Sequence, residues 1–157
     1  MTATDLPAVS ALAAFIHPGF PEDAAVFAER LQLYPQGCRV LEGGGALQAY
    51  VISHPWFDRA PPALNALLGE LPVRPTTYYL HDLALLPEVR RSGAAGQAVA
   101  ALVEQARSAQ LPSLSLVAVN GSAEFWRRQG FEAVPDGLPA EKLRSYGDDA
   151  QFMMRTL

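Results

Sequence analysis

At 157 residues, with 50% apolar and 18% charged side chains, the chain has a globular composition and the length for one domain with an ordinary core. A formal charge of −4 and an isoelectric point near 5.3 argue against general nucleic-acid binding, which needs a basic face. The single cysteine, Cys38, excludes an internal disulfide and a cysteine metal cluster, and no apolar run reaches the roughly 20 residues of a membrane span.

The opening residues carry Asp5 and no basic side chain, unlike a signal peptide, so the expected location is cytoplasmic with no membrane partner. Thr4 or Asp5 can cap a first helix whose apolar face is Val9, Leu12, Ala13 and Ile16. His17-Pro18-Gly19-Phe20-Pro21 breaks it. A second helix follows, with Ala24, Phe27, Leu31 and Tyr34 on one side and Glu22 and Asp23 in its first turn, where negative charge is favoured. A strand around Arg39–Glu42 is joined by Gly43-Gly44-Gly45 to an antiparallel partner, Ala46–Ser53. The tri-glycine is better read as a hairpin turn than as a phosphate loop, because no helix follows it to supply a dipole. Residues 54–77 are rich in proline and suggest a surface excursion with a short helix near Pro62–Leu68.

Tyr79–Leu86 is a buried-looking strand stopped by Pro87, and a helix begins near Gly93, with Ala95, Val99, Leu102, Val103 and Ala106 at helical spacing. Between them lies Arg90-Arg91-Ser92-Gly93-Ala94-Ala95-Gly96. Small residues entering a helix leave N–H groups unpaired at the positive end of the macrodipole, a place to hold phosphate or pyrophosphate. Ser113–Val119 is a further strand, Asn120-Gly121 a turn, Ser122–Gln129 a short helix closed by Gly130, and Phe131–Val134 and Gln151–Arg155 final strands. The pattern is a mixed α/β domain over 1–157, without repeats or a linker.

These motifs, in this order, resemble the GNAT acyltransferase family, enzymes that move an acyl group from coenzyme A to an amine. That family carries a Q/R-x-x-G-x-G/A loop after its fourth strand, matched by Arg90-Arg91-Ser92-Gly93-Ala94-Ala95. It has an Asn after its fifth strand, here Asn120, and a helix ending aromatic-x-x-x-Gly-Phe, here Trp126 to Phe131. The resemblance implies a mixed central sheet flanked by helices, with strands 4 and 5 splayed and the first strand abbreviated to Met1–Ala3. It also implies acetyl-CoA as co-substrate, no metal, and a monomer or homodimer. The N–H groups of Arg91 to Gly96 would cradle the pyrophosphate beside Arg90. Exposed backbone at Leu83, Leu85 and Leu86 would pair with the pantetheine amides, and an N–H of Leu85 or Leu86 would serve the oxyanion. Asn120 and Trp126 complete the coenzyme set.

An alkyl amine, with a pKa near 10, must lose a proton before it attacks. His81 and Asp82 stand where the family often places a base, usually working through water. Alternation sends them to opposite faces, and imidazole is the better base near pH 7. The family usually has Tyr as the acid four residues before the Gly-Phe pair, where this chain has Trp126, whose indole does not ionise usefully. A thiolate can leave largely unaided, with a thiol pKa near 8.5. Tyr146 is the other candidate acid. For the acceptor, expected to be a small amine or a peptide, His17, Phe20, His54 and Trp56 are the candidate contacts, beside Glu22, Asp23 and Phe57. Two other readings remain open. One is a non-catalytic acyl-CoA binder of the same fold. The other is a nucleotide module, against which the loop lacks both the P-loop Lys-Ser/Thr and the G-x-G-x-x-G order.

Overall fold

Proline and glycine set most of the element boundaries in the computed structural model, which describes residues 1–157. Helix α1 (Leu6–Ile16) starts with Pro7 in its first turn and ends at His17, where Pro18 cannot continue it. Helix α2 (Ala24–Leu33) buries Val26, Phe27 and the charged Arg30. Strands β1 (Cys38–Gly43) and β2 (Ala46–Trp56) form a hairpin through Gly44 and Gly45, both at positive φ (62° and 79°), the conformation a two-residue turn demands. Strand β3 (Thr77–Leu85) leads through a 3-10 turn at Pro87–Val89 into helix α3 (Ala94–Ser108). Then follow β4 (Ser113–Ala118), α4 (Ala123–Arg128), β5 (Glu132–Ala133), α5 (Ala140–Arg144) and β6 (Gln151–Thr156).

The six strands form one sheet in the order β1-β2-β3-β4-β6-β5. Only β3 and β4 run parallel; the other neighbours are antiparallel. On one face α1 and α2 cover Tyr50, Ile52 and Ala84 through Val9, Leu12 and Phe27. On the other, Val99, Leu102, Val103 and Ala106 of α3 pack on Tyr78, Leu80, Leu114 and Leu116, with Trp126 and Phe131 extending the layer. Leu102 is fully buried there, so truncating it to Ala would cost about 2–5 kcal/mol.

Two irregularities in the sheet shape the site. The parallel pair is joined only at Tyr78–Leu114 and Tyr79–Ser115. Beyond those residues β3 and β4 diverge, although β3 runs on to Leu85 and β4 to Ala118. The second is a bulge. Ile52 faces Asp82 but the next residue, Ser53, faces Leu80, so His81 is an extra residue in β3.

Several expectations need correction. No helix forms over 62–68; the chain turns at Asn65, which takes φ 54°, and its backbone bonds go to side chains of α2 and the segment before it. Helix α5 has no counterpart among the expected elements. No strand precedes α1: Ala3–Asp5 form a 3-10 turn, and the Met1 ammonium donates to the Cys38 carbonyl at 3.3 Å. The Asp5 carboxylate accepts from the Thr2 N–H at 2.6 Å. Glu22 and Asp23 precede α2 instead of forming its first turn, Asp23 being its cap residue.

Candidate active site

A cleft of about 710 Å³ opens where β3 and β4 part, reaching from the start of α3 to the turn between α1 and α2. One end is made of backbone. The Leu86 N–H donates to the Gln48 carbonyl at 2.9 Å. Bonding alternates along an antiparallel pair, so Asp82, Ala84 and Leu86 turn their N–H groups toward β2, while Leu83 and Leu85 turn theirs into the splay. The Leu86 N–H, expected to face a ligand, is therefore taken by Gln48, whereas those of Leu83 and Leu85 point away from β2. The Leu85 carbonyl accepts from Arg90 Nε at 3.3 Å, which holds that guanidinium at the mouth of the cleft.

The loop beyond is also selective about its donors. Ser92 N–H goes to the Val89 carbonyl (3.2 Å) and Ala94 N–H to Ser92 Oγ (3.3 Å). The N–H groups of Arg91, Gly93, Ala95 and Gly96 have no partner in the protein, a narrower cradle than the full run from 91 to 96. Gly93 caps α3 at φ 86°, a region glycine enters without penalty. Arg91 avoids positive φ, and no backbone or side chain crowds the space above Gly93 or Gly96. Asn120 and Trp126 line the same end of the cleft. Trp126 is buried, with its ring edge-on to Phe131 at 5.5 Å.

The other end is made of side chains. The bulge overturns the alternation argument: His81 and Asp82 are consecutive yet both face α1 and α2 and both line the cleft. His81 Nε2 lies 2.9 Å from Glu22 Oε2, with both side chains 7% exposed. A carboxylate only accepts, so Nε2 carries a proton, and in the neutral ring Nδ1 is the acceptor. Burial alone would raise the Glu22 pKa, but the hydrogen bond and charge of His81 outweigh it and hold the carboxyl below its ordinary value. Asp82 accepts the Tyr50 hydroxyl, and His17 Nε2 stands 3.2 Å from its other oxygen. Burial again opposes ionisation, yet His17 and Tyr50 keep Asp82 below the usual carboxylate range. Burial also opposes the charge on His17, and Asp82 reverses that, raising the imidazole above its ordinary value. Burial and the adjacent Asp82 push the Tyr50 hydroxyl the other way, far above the ordinary phenol range.

Phe20 lines this end, whereas His54 and Trp56 do not. His54 is 1% exposed and stacked among Trp56, Tyr79 and His81, behind the cleft wall. Burial and the neighbouring His81 hold its pKa down at about 3. Trp56 Nε1 donates to the Ala60 carbonyl at 2.7 Å, within the proline-rich excursion. Tyr146 does reach the cleft, but its hydroxyl donates to the carbonyls of Pro61 and Pro62. Burial and the Glu22 charge raise it above the phenol range, so it is a poor proton donor to a thiolate. Glu22 is the partner that sequence reasoning did not pair with His81. A separation of 59 positions carries no local signal. Cys38 is buried, its thiol pushed up to about 11 by burial, as a core residue should be. No helix is long and apolar enough to cross a membrane.

A family model described as the acetyltransferase (GNAT) family matches residues 7–131. A comparison with curated proteins finds no match. Among solved structures, the fold is similar to GphF, a GNAT-like decarboxylase in complex with isobutyryl-CoA, at 17% identity and TM-score 0.80, covering 99% of this chain and 96% of that one. It is similar to the ribosomal-protein-S18-alanine N-acetyltransferase from Escherichia coli, at 18% identity and TM-score 0.65, covering 99% and 90%. It is also similar to Naa20 from Chaetomium thermophilum in complex with a bisubstrate analogue, at 18% identity and TM-score 0.73, covering 100% and 84%.

Proposed function

Because the chain belongs to the GNAT acetyltransferase family, we propose that it transfers an acetyl group from acetyl-CoA to a primary amine by direct attack in a ternary complex. The observation that carries the reading is the splay of β3 from β4, which leaves the N–H groups of Leu83 and Leu85 unpaired beside the His81–Glu22 pair in one cleft. Coenzyme A, when bound, supplies the acyl group as a thioester.

The chain's residues do the rest. The free N–H groups of Arg91, Gly93, Ala95 and Gly96, at the start of α3, hold the pyrophosphate, and Arg90 adds local positive charge to an acidic protein. Leu83 and Leu85 pair through their backbone with the pantetheine amides, and an N–H at the splay faces the carbonyl oxygen as it gains charge. His81 Nδ1 takes the ammonium proton, directly or through one water, while Glu22 fixes the ring and stabilises the imidazolium. The amine nitrogen bonds to the acyl carbon, the carbon–sulfur bond breaks with its electron pair leaving on sulfur, and the thiolate takes up the second proton that the nitrogen sheds. Asp82 holds the acceptor's charge instead of acting as a second base, since His17 and Tyr50 already occupy it.

One alternative is a non-catalytic acyl-coenzyme binder. It is favoured by Trp126 in place of an ionisable group and by the commitment of the Tyr146 hydroxyl to Pro62. Thiol release from acetyl-CoA, followed with and without an amine panel, tests both readings. Amine-dependent release supports the transferase. Binding of acetyl-CoA without amine-dependent release supports the binder.

A further inference from the structure

Three segments meet over the acceptor end of the cleft. Residues 57–76, between β2 and β3, are pinned to the start of α2. The Asp23 N–H donates to Asn65 Oδ1 (2.7 Å), Asn65 Nδ2 to Asp23 Oδ2 (3.2 Å), and the Asn65 N–H to Glu22 Oε1 (3.1 Å). Further along, the buried Arg30 donates to the Ala66 carbonyl (2.8 Å), and Glu29 accepts from the Leu68 and Gly69 N–H groups (2.8 and 2.9 Å). The same excursion is tied to the segment before β6 by Tyr146, whose hydroxyl bonds Pro61 and Pro62. Phe20, in the turn between α1 and α2, closes the third side, its ring 3.8 Å from where a Cβ on Gly147 would stand. Pro62, Leu64, Phe20 and Tyr146 thereby become an apolar roof above Glu22 and Asp82.

We infer that this roof restricts the acceptor to a compact primary amine on an apolar body, and excludes both peptides and amino acids with a free carboxylate. The inference rests on the acyl-transfer reading and names its substrate class. The charge argument is direct. Glu22 and Asp82 are met by His81, His17, the Tyr50 hydroxyl and the Asn65 N–H, while the one Lys or Arg lining the cleft, Arg90, is bonded to Leu85 at the opposite end. An ammonium group is matched there and a second carboxylate is not. The steric argument is the closure itself. A peptide extends beyond its N-terminal residue, and three segments tied to one another line this end of the cleft. One Glu22 oxygen holds the roof through Asn65 and the other holds His81, so roof and base share an anchor.

The test is calorimetric titration of the protein saturated with coenzyme A, using 2-phenylethylamine, phenylalanine and the peptide Phe-Gly-Gly-Gly, which share one amine-bearing body. The amine binds, phenylalanine binds at least about tenfold more weakly because its carboxylate meets like charge, and the peptide does not bind. In a Tyr146→Phe, Asn65→Gly variant, which keeps the ring and the positive φ, the peptide binds. Wild-type protein that takes the peptide as well as the amine, or takes no amine, overturns the inference. So does a peptide still excluded once these side-chain bonds of Asn65 and Tyr146 are removed, with the Arg30 and Glu29 contacts left in place. Thiol release with 2-phenylethylamine is read separately: binding without release leaves the acceptor class standing and sinks the acyl-transfer reading.

Discussion

The two ends of the cleft are built by different means. The coenzyme end is backbone: a strand edge freed by a splay, and N–H groups at the start of a fifteen-residue helix. Its backbone parts lie within Leu83–Gly96, one stretch of chain, with the side chains of Asn120 and Trp126 beside them. The acceptor end is side chains from α1, the α1–α2 turn, β2 and β3, joined by contacts such as His81–Glu22 and Tyr50–Asp82 that span 59 and 32 residues. A backbone site tolerates many side chains, whereas a side-chain site changes with any one of them. The first therefore defines a family and the second an individual specificity.

The sharpest separation of the ends comes from His81→Ala. Loss of a general base is expected to lower kcat by about 10²–10⁴-fold, with acetyl-CoA binding unchanged; steady-state kinetics with both substrates varied checks it. A variant of normal kcat removes His81 from the mechanism. Gly93→Val is the mirror experiment. A β-branched residue at φ 86° costs about 1–3 kcal/mol, so acetyl-CoA affinity should fall about tenfold or more while amine affinity holds. Equal loss at both ends would mean that the comparison fails.

Stability against pH separates the ends in another way. His54, behind the acceptor end, has a folded pKa near 3 against an ordinary 6.5. The unfolded chain therefore binds a proton that the folded chain refuses. The His54 contribution is complete above pH 6.5 and is expected to fall by about 1.4 kcal/mol per unit as pH drops from there toward 3. A His54→Phe variant should lose that slope in thermal melts. Glu22 and Asp82, both depressed, add a further loss only below their ordinary values of 4.5 and 3.8. The smallest effect expected is at the coenzyme end. Trp126→Phe keeps the contact with Phe131, and since indole donates no useful proton, kcat should stay within about threefold.

The contrast also accounts for what was legible in the sequence. Helical periodicity in Ala95–Ala106 and the Gly-rich loop are local signals, and they located α3 and its N–H groups. Local reasoning failed where a distant partner decided the outcome. The bulge at His81 is invisible to alternation, because an extra residue shows only when β2 is paired beside it. The 62–68 segment has helical composition after its prolines, yet its N–H groups are taken by Glu22 and Glu29. His54 and Trp56 flank a strand end as ligand contacts often do, but the excursion beyond them folds over and buries His54.

The most direct test of a backbone-built donor end facing a side-chain-built acceptor end is amide chemical-shift mapping during successive addition of acetyl-CoA and an amine. The account predicts that acetyl-CoA shifts the amides of Leu83, Leu85, Arg91, Gly93, Ala95 and Gly96, and that the amine then shifts Phe20, Glu22 and Asp82. Acetyl-CoA shifts confined to residues of α1 and α2, with Leu83 to Gly96 unmoved, would contradict it.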